Sequence, residues 1–229
     1  MPDPFCTLKN KELSMIVISD MMGTLTTGSP VLGLVDWVGH NQSKTQAQLH
    51  LAMMMPGYLL AKLGLIDIQP WGQKWMVESL GWVENITPEK FEQVAEWAVE
   101  HNLWRKRRED VISRLEEHAR SGAEVYVATS VVEPVARAFA RRFGAQAIAT
   151  PLQIINGRAS LAAGLVASER KIQEVLKRLG VARVDYAYGD TAMDIPLLEH
   201  AEHPFAVYPD RRLYQAAVER GWPVFGEPV

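Results

Sequence analysis

Four stretches of this chain carry side chains suited to chemistry. The first is Ser19-Asp20-Met21-Met22-Gly23-Thr24-Leu25-Thr26, where a carboxylate precedes a glycine turn and hydroxyl residues. Such a loop brings backbone N–H groups and an acid toward a phosphate or a cation, although an Asp in this setting is more commonly a turn former or helix cap. The second is Tyr188-Gly189-Asp190-Thr191-Ala192-Met193-Asp194. Two carboxylates four apart offer the hard oxygens that Mg²⁺ takes, and helix starts also collect acids through the macrodipole. The third is Thr129-Ser130 and the fourth is Lys171. Singly, these last two read as a helix cap and a solvated lysine. Together, the order of Asp loop, hydroxyl, lysine and Gly-Asp-x-x-x-Asp favours a shared role.

Three of the four stretches follow short apolar runs, and those runs are the elements that must position them. Met15 to Ser19, Val125 to Ala128 and Val184 to Tyr188 are brief and rich in Val, Ile and Tyr. That pattern suits strands of a parallel sheet, which are covered on both faces and need not alternate. Weaker strands are expected at Ala147–Thr150 and Phe205–Tyr208. Arg107–Arg120 places Val111, Ile112, Leu115 and Ala119 on one helical face, with Gly122 as a stop. A second helix follows Ser168, read as its N-cap, through Ile172, Val175, Leu176 and Leu179 to Gly180. Repeated strand–helix–strand units predict an α/β fold with a Rossmann-like, doubly wound parallel sheet, whose site gathers at the carboxyl ends of the strands.

Residues 32–105 break the pattern. They hold six of the seven tryptophans and the Met53-Met54-Met55 run, with helical periodicity and no convincing buried strand. Seventy residues exceed an ordinary crossover, so a helical cap is expected there, inserted between core segments 1–31 and 106–229.

Composition narrows the class. A formal charge of −3 over 229 residues excludes a chain that coats polyanions, so no nucleic-acid partner is expected. With 48% apolar and 22% charged residues the chain is an ordinary globular one. The single Cys6 forms no internal disulfide. Met15–Ile18 is too short for a secretory apolar region, and Leu51–Ala61 is broken by Pro56-Gly57. These features predict a cytoplasmic protein without a membrane span; oligomeric state is not readable.

With those residues in order, the chain resembles the haloacid dehalogenase-like phosphohydrolase superfamily, particularly its phosphoserine-phosphatase-like branch. Asp20–Thr26 resembles the first motif of that family, Thr129 the second, Lys171 the third and Gly189–Asp194 the fourth. The resemblance implies a hydrolase of phosphoric monoesters in which Asp20 attacks phosphorus and becomes an aspartyl phosphate. It implies a Mg²⁺ cofactor held by Asp20, the backbone carbonyl of Met22, Asp190 and Asp194. Thr129 and Lys171 would join Asp20 in catalysis, with Gly23, Thr24 and Ser130 contacting a small phosphorylated metabolite.

One departure qualifies the match. The family's phosphatases carry a second aspartate two residues after the nucleophile, where this chain has Met22. That aspartate protonates the leaving oxygen and then activates water; methionine does neither. Loss of such help is worth about 10²–10⁴-fold, so weak or atypical turnover is expected. Two alternatives follow: a catalytically impaired protein that binds phosphoryl ligands, and a carbon–phosphorus hydrolase resembling phosphonoacetaldehyde hydrolase. The latter needs an imine-forming cap lysine, for which Lys62 is the candidate. His40 and His50 are candidates for a replacement proton relay.

Overall fold

The computed structural model describes residues 14–66, 68–83 and 85–229; Cys6 lies outside them. The strands are β1 (Ile16–Ser19), β2 (Glu124–Val132), β3 (Gln146–Thr150), β4 (Leu152–Ile155), β5 (Arg158–Leu161), β6 (Val184–Gly189), β7 (Ala201–Val207) and β8 (Val224–Phe225). Six of them form one parallel sheet in the order β3-β2-β1-β6-β7-β8. The order reverses between β1 and β6. At such a switch point the crossovers on either side run away from each other, leaving a crevice beyond the carboxyl ends of the two strands.

All four residues of β1 are buried, as a central strand covered on both faces requires. Val17 belongs to a core shared with α5 (Glu109–Arg120) and α6 (Glu133–Ala140) through Ile112, Leu115 and Phe139. Ile16 and Ile18 face the other way, onto α7 (Glu169–Leu179) and α9 (Arg211–Arg220) through Ile172, Val175 and Leu213. The sheet is thus doubly wound.

Between β1 and α5 the chain runs through α1 (Pro30–Asn41), α2 (Lys44–Lys62), α3 (Ile68–Ser79) and α4 (Pro88–Ala98), followed by a π turn at Val99–Leu103 and a 3₁₀ turn at Trp104–Lys106. Outgoing and returning chains are stitched together: Thr27 N donates to Lys106 O at 3.0 Å and Thr26 Oγ1 to Leu103 O at 2.6 Å. Ser29 caps α1, its hydroxyl accepting from Leu32 N.

Several elements differ from the sequence reading. β2 continues to Val132 beyond the expected Ala128, with an irregular register between Thr129 and Val132. β7 begins at Ala201, four residues early, and includes Pro204. The missing N–H of Pro204 is harmless because β8 pairs only with Ala206 and Val207. The β4–β5 hairpin was not foreseen, although Asn156-Gly157, with φ of 51° and 72°, is the turn pair that a two-residue hairpin demands. It supports the helical segment, since Gly157 O accepts from Ile86 N at 3.0 Å. Ser168 does occupy the N-cap of α7, but at φ 47° with no side-chain hydrogen bond to the helix, so it does not cap as expected. No helix among the described residues is long and apolar enough to cross a membrane.

Candidate active site

Asp20 extends β1 into the crevice, held against β6 by its N–H, which donates to Tyr188 O at 2.8 Å. The chain then turns sharply: Leu25 N donates to Met21 O at 2.9 Å and Gly23 N to Thr26 O at 2.8 Å, with Met21 and Leu25 fully buried as anchors. Gly23 adopts φ +89°, and a Cβ there would lie 1.8 Å from Asp190 Oδ2. Only glycine lets the loop approach that carboxylate. Thr24 is buried, and its hydroxyl donates to Asp190 Oδ1 at 2.8 Å, so it meets an acid of the site instead of open space.

Asp190 directly follows β6, and Asp194 lies on a 3₁₀ turn, Ala192–Asp194, capped by Thr191. Asp194 Oδ2 accepts from Thr191 N and Oγ1, each at 3.2 Å, and its Oδ1 accepts from Lys171 Nζ at 2.6 Å. Lys171, in the first turn of α7, also donates to Asp20 Oδ1 at 2.5 Å. One oxygen each from Asp20, Asp190 and Asp194 lie within 4.8 Å of one another. All three acids and the lysine are buried.

Burial dominates the electrostatics. It raises the Asp20 carboxyl to about 6, with Asp194 adding to the rise and Lys171 opposing it. Asp190 is pushed well above the usual carboxylate range, first by burial and then by Asp20 and Asp194. Burial would lower the Lys171 ammonium, but Asp194 and Asp20 outweigh it and hold the group above its ordinary value. Three buried carboxylates against one ammonium leave excess negative charge.

Ser19 pairs with Val127 across β1 and β2, so Ala128 and Thr129 run alongside Asp20. The Thr129 hydroxyl is buried and accepts from Val131 N at 3.3 Å. Ser130 and Asp190 line a cavity of about 340 Å³, with Met22 and Gly23 beside them. Its opposite wall comes from the helical segment: Met54 of α2, and Trp71, Trp75 and Met76 of α3. Met22, where an acid was wanted, is thus half-buried at the seam between the two.

The other candidates lie elsewhere. Lys62 is exposed and does not line the cavity. His40 is bound to Asp36 in a separate groove with His101 and Arg105, and His50 stacks on Trp82 at 4.0 Å. Arg108 was not singled out in the sequence, where it is one of four consecutive basic residues, Arg105 to Arg108. Its Nε donates to Gly23 O at 2.8 Å and its guanidinium covers the Tyr208 ring at 3.7 Å, so it braces the Asp20 loop. Asp210, whose N–H donates to Asp190 O at 2.8 Å and whose carboxylate accepts from Ala192 N, braces the other acid loop.

The profile of the haloacid dehalogenase-like hydrolases matches residues 17–199, which includes every one of the four stretches. The chain belongs to that family. It is 30% identical over 131 residues to the "Inhibition of morphological differentiation protein" of Streptomyces azureus, covering 53% of this chain and 47% of that one. It is 31% identical over 120 residues to "Probable phosphatase Rv3661" of Mycobacterium tuberculosis, covering 49% and 42%. The chain therefore matches just under half the length of these relatives. Among solved structures, a Bordetella pertussis Tohama I protein of unknown function superposes with a TM-score of 0.74 at 21% identity, covering 93% of this chain and 98% of that one. A substrate-bound phosphoserine phosphatase superposes at 0.57 with 15% identity, covering 88% and 90%. At these identities the fold is what is shared.

Proposed function

We propose that this family member is a Mg²⁺-dependent phosphohydrolase of small phosphorylated metabolites, acting through an aspartyl phosphate on Asp20. The observation that carries it is the convergence of Asp20, Asp190 and Asp194 on Lys171 at the switch point of the sheet. The donor set fits the ion: hard carboxylate oxygens, in excess of the one cation that faces them. Asp20, Asp190, Asp194 and the Met22 carbonyl would hold Mg²⁺, which when bound supplies charge compensation for the phosphoryl oxygens.

The protein's own groups do the rest. At neutral pH the Asp20 carboxyl, at about 6, is mostly ionised and nucleophilic. Lys171 fixes Oδ1, leaving the other oxygen to attack phosphorus, and offers positive charge to the incoming group. Thr129, Ser130 and the backbone N–H of Thr24 would donate to phosphoryl oxygens, with Gly23, whose own N–H is held by Thr26 O, giving the phosphate room to approach. The ester P–O bond breaks, water attacks the aspartyl phosphate, and inorganic phosphate leaves with Asp20 restored. Residues 32–105 act as the cap over a core of 1–31 and 106–229, and the protein works in the cytoplasm.

Met22 sets the limit. With no carboxylate to move either proton, alkyl phosphates turn over about 10²–10⁴-fold more slowly than they would with an aspartate there. The test is hydrolysis of acetyl phosphate and p-nitrophenyl phosphate with Mg²⁺, with EDTA, and in Asp20→Asn. Turnover that ignores either change overturns the proposal. Tight binding of Mg²⁺ with beryllium fluoride and no turnover on any substrate would instead favour a phosphoryl-ligand binder, the second reading that Met22 supports.

A further inference from the structure

The cavity between the acid cluster and the helical wall has a composition that selects its occupant. It is walled by Met22, Met54, Trp71, Trp75 and Met76, and its remaining polar side chains are Ser29, Ser130, Gln73 and Asp190. Among the described residues, no Lys, Arg or His lines it. A substrate body carrying a carboxylate or second phosphate would be buried there without a counter-charge, which is strongly unfavourable. An apolar body is favoured by the same wall.

The wall is also shaped in advance. Gly57, next to Pro56 inside the unbroken α2, leaves a notch into which the Trp71 indole fits, its Nε1 2.2 Å from where a Gly57 Cβ would sit. Tyr58 and Trp75 flank that indole, each with ring centroids 6.1 Å from it. Gln73 Nε2 reaches Met193 Sδ at 3.8 Å, tying α3 to the turn that carries Asp194. Held aromatic faces of this kind favour a flat, aromatic partner. The cavity, about 340 Å³, is roughly twice the ~150 Å³ that admits benzene, so it has room for a ring or two beside the phosphoryl group.

Met22 points the same way by chemistry. Without a general acid the leaving oxygen must depart as an anion. Phenols ionise near pH ~10, whereas alkyl alcohols lie close to the ~15.7 of water. From the wall and Met22 together, and resting on the phosphohydrolase reading, we infer that the substrate is an aryl phosphate, the phosphate monoester of an uncharged phenolic alcohol, with Trp71 and Trp75 setting specificity. Asp20 attacks phosphorus, and the P–O(aryl) bond breaks with its electron pair on the phenolate, which takes a proton from solvent. Water then attacks phosphorus, the P–O bond to Asp20 breaks with its electron pair on the carboxylate, and inorganic phosphate departs with the water's oxygen and protons.

The test compares kcat/KM for 1-naphthyl phosphate, phosphoserine and acetyl phosphate with Mg²⁺ present. Naphthyl phosphate is expected to exceed phosphoserine by at least about 100-fold. Trp71→Leu and Trp75→Leu, which keep apolar bulk, are each expected to lower the naphthyl-to-acetyl ratio about tenfold, mainly through KM. Mg²⁺- and Asp20-dependent hydrolysis of acetyl phosphate without a naphthyl preference overturns this inference and leaves the phosphohydrolase reading intact. Absence of all turnover defeats that reading; titration of naphthyl phosphate against phosphoserine by tryptophan fluorescence then decides the ligand class. Equal or no binding overturns the aryl assignment, and naphthyl binding weakened in Trp71→Leu supports it.

Discussion

The floor and the wall of the cavity are built on different principles. On the floor each charged group has a named partner: Lys171 bridges Asp20 and Asp194, Thr24 holds Asp190, and Thr191 holds Asp194. In the wall, α2 buries only Ala47, Met54 and Ala61 and exposes Leu49, Met53 and Leu59. Polar ties constrain both distance and angle, while apolar positions tolerate exchange among side chains of about the same volume. On the function proposed, chemistry belongs to the floor and selectivity to the wall. Lys171→Met should break this contrast most forcefully. It leaves three carboxylates buried without their cation, a loss of about 3–5 kcal/mol, against about 1–2 kcal/mol for Trp75→Leu in the wall. Urea unfolding without Mg²⁺ checks both, and equal costs would show that the floor is no more tightly specified than the wall.

Met22 sits where floor and wall meet, so changing it should move both properties at once. Met22→Asp returns an acid to the leaving oxygen and removes an apolar face from the cavity. Turnover of alkyl phosphates is expected to rise about 100-fold, within the usual worth of general acid–base help, with KM for naphthyl phosphate rising. A stopped or unchanged alkyl rate would mean that residue 22 does not face the leaving group.

The same contrast explains what could be read from the residues alone. Asp20, Lys171, Asp190 and Asp194 were legible from their order along the chain, since each alone reads as a turn, a cap or a solvated charge, and the short apolar runs before three of the four stretches marked strand ends. Trp71 and Met54 were not. A tryptophan in a helix looks the same whether it packs inside the segment or faces a cavity, and only the notch at Gly57 distinguishes the two. Arg108 was hidden for a related reason: its role is one hydrogen bond to Gly23 O, across 85 residues of sequence, inside a run of four basic residues. The β4–β5 hairpin was signalled by Asn156-Gly157, but Gln153 interrupts the apolar run of Leu152-Gln153-Ile154-Ile155, which is also half-exposed, unlike the fully buried β1 of the same length.

The floor should also respond to pH in a way the wall does not. Asp20 is raised to about 6 from its ordinary 3.8, and Asp190 is raised well above the same value. A carboxyl whose pKa is higher folded than unfolded favours the fold while protonated, so its stabilisation fades as pH rises from about 4 through 6. Mg²⁺ binding needs the ionised forms. The Mg²⁺-induced rise in Tm should therefore be several degrees larger at pH 7.5 than at pH 5, and Asp190→Asn should flatten the difference. A Mg²⁺ effect equal at both pH values would remove the acid cluster from metal binding.

Gly57→Ala tests the wall most finely, because stability and recognition should part company. Gly57 lies within α2, where alanine is the better helix former by about 1 kcal/mol. Its new methyl, however, would fall 2.2 Å from Trp71 Nε1, and the indole is the side that yields because a side chain rotates more cheaply than a packed helix moves. Tm should hold or rise slightly while KM for naphthyl phosphate increases about threefold, with kcat little changed because Asp20 and Lys171 are untouched. If both Tm and KM stay as they are, Trp71 is not seated against that notch, and the aromatic wall loses the feature that holds it toward the floor.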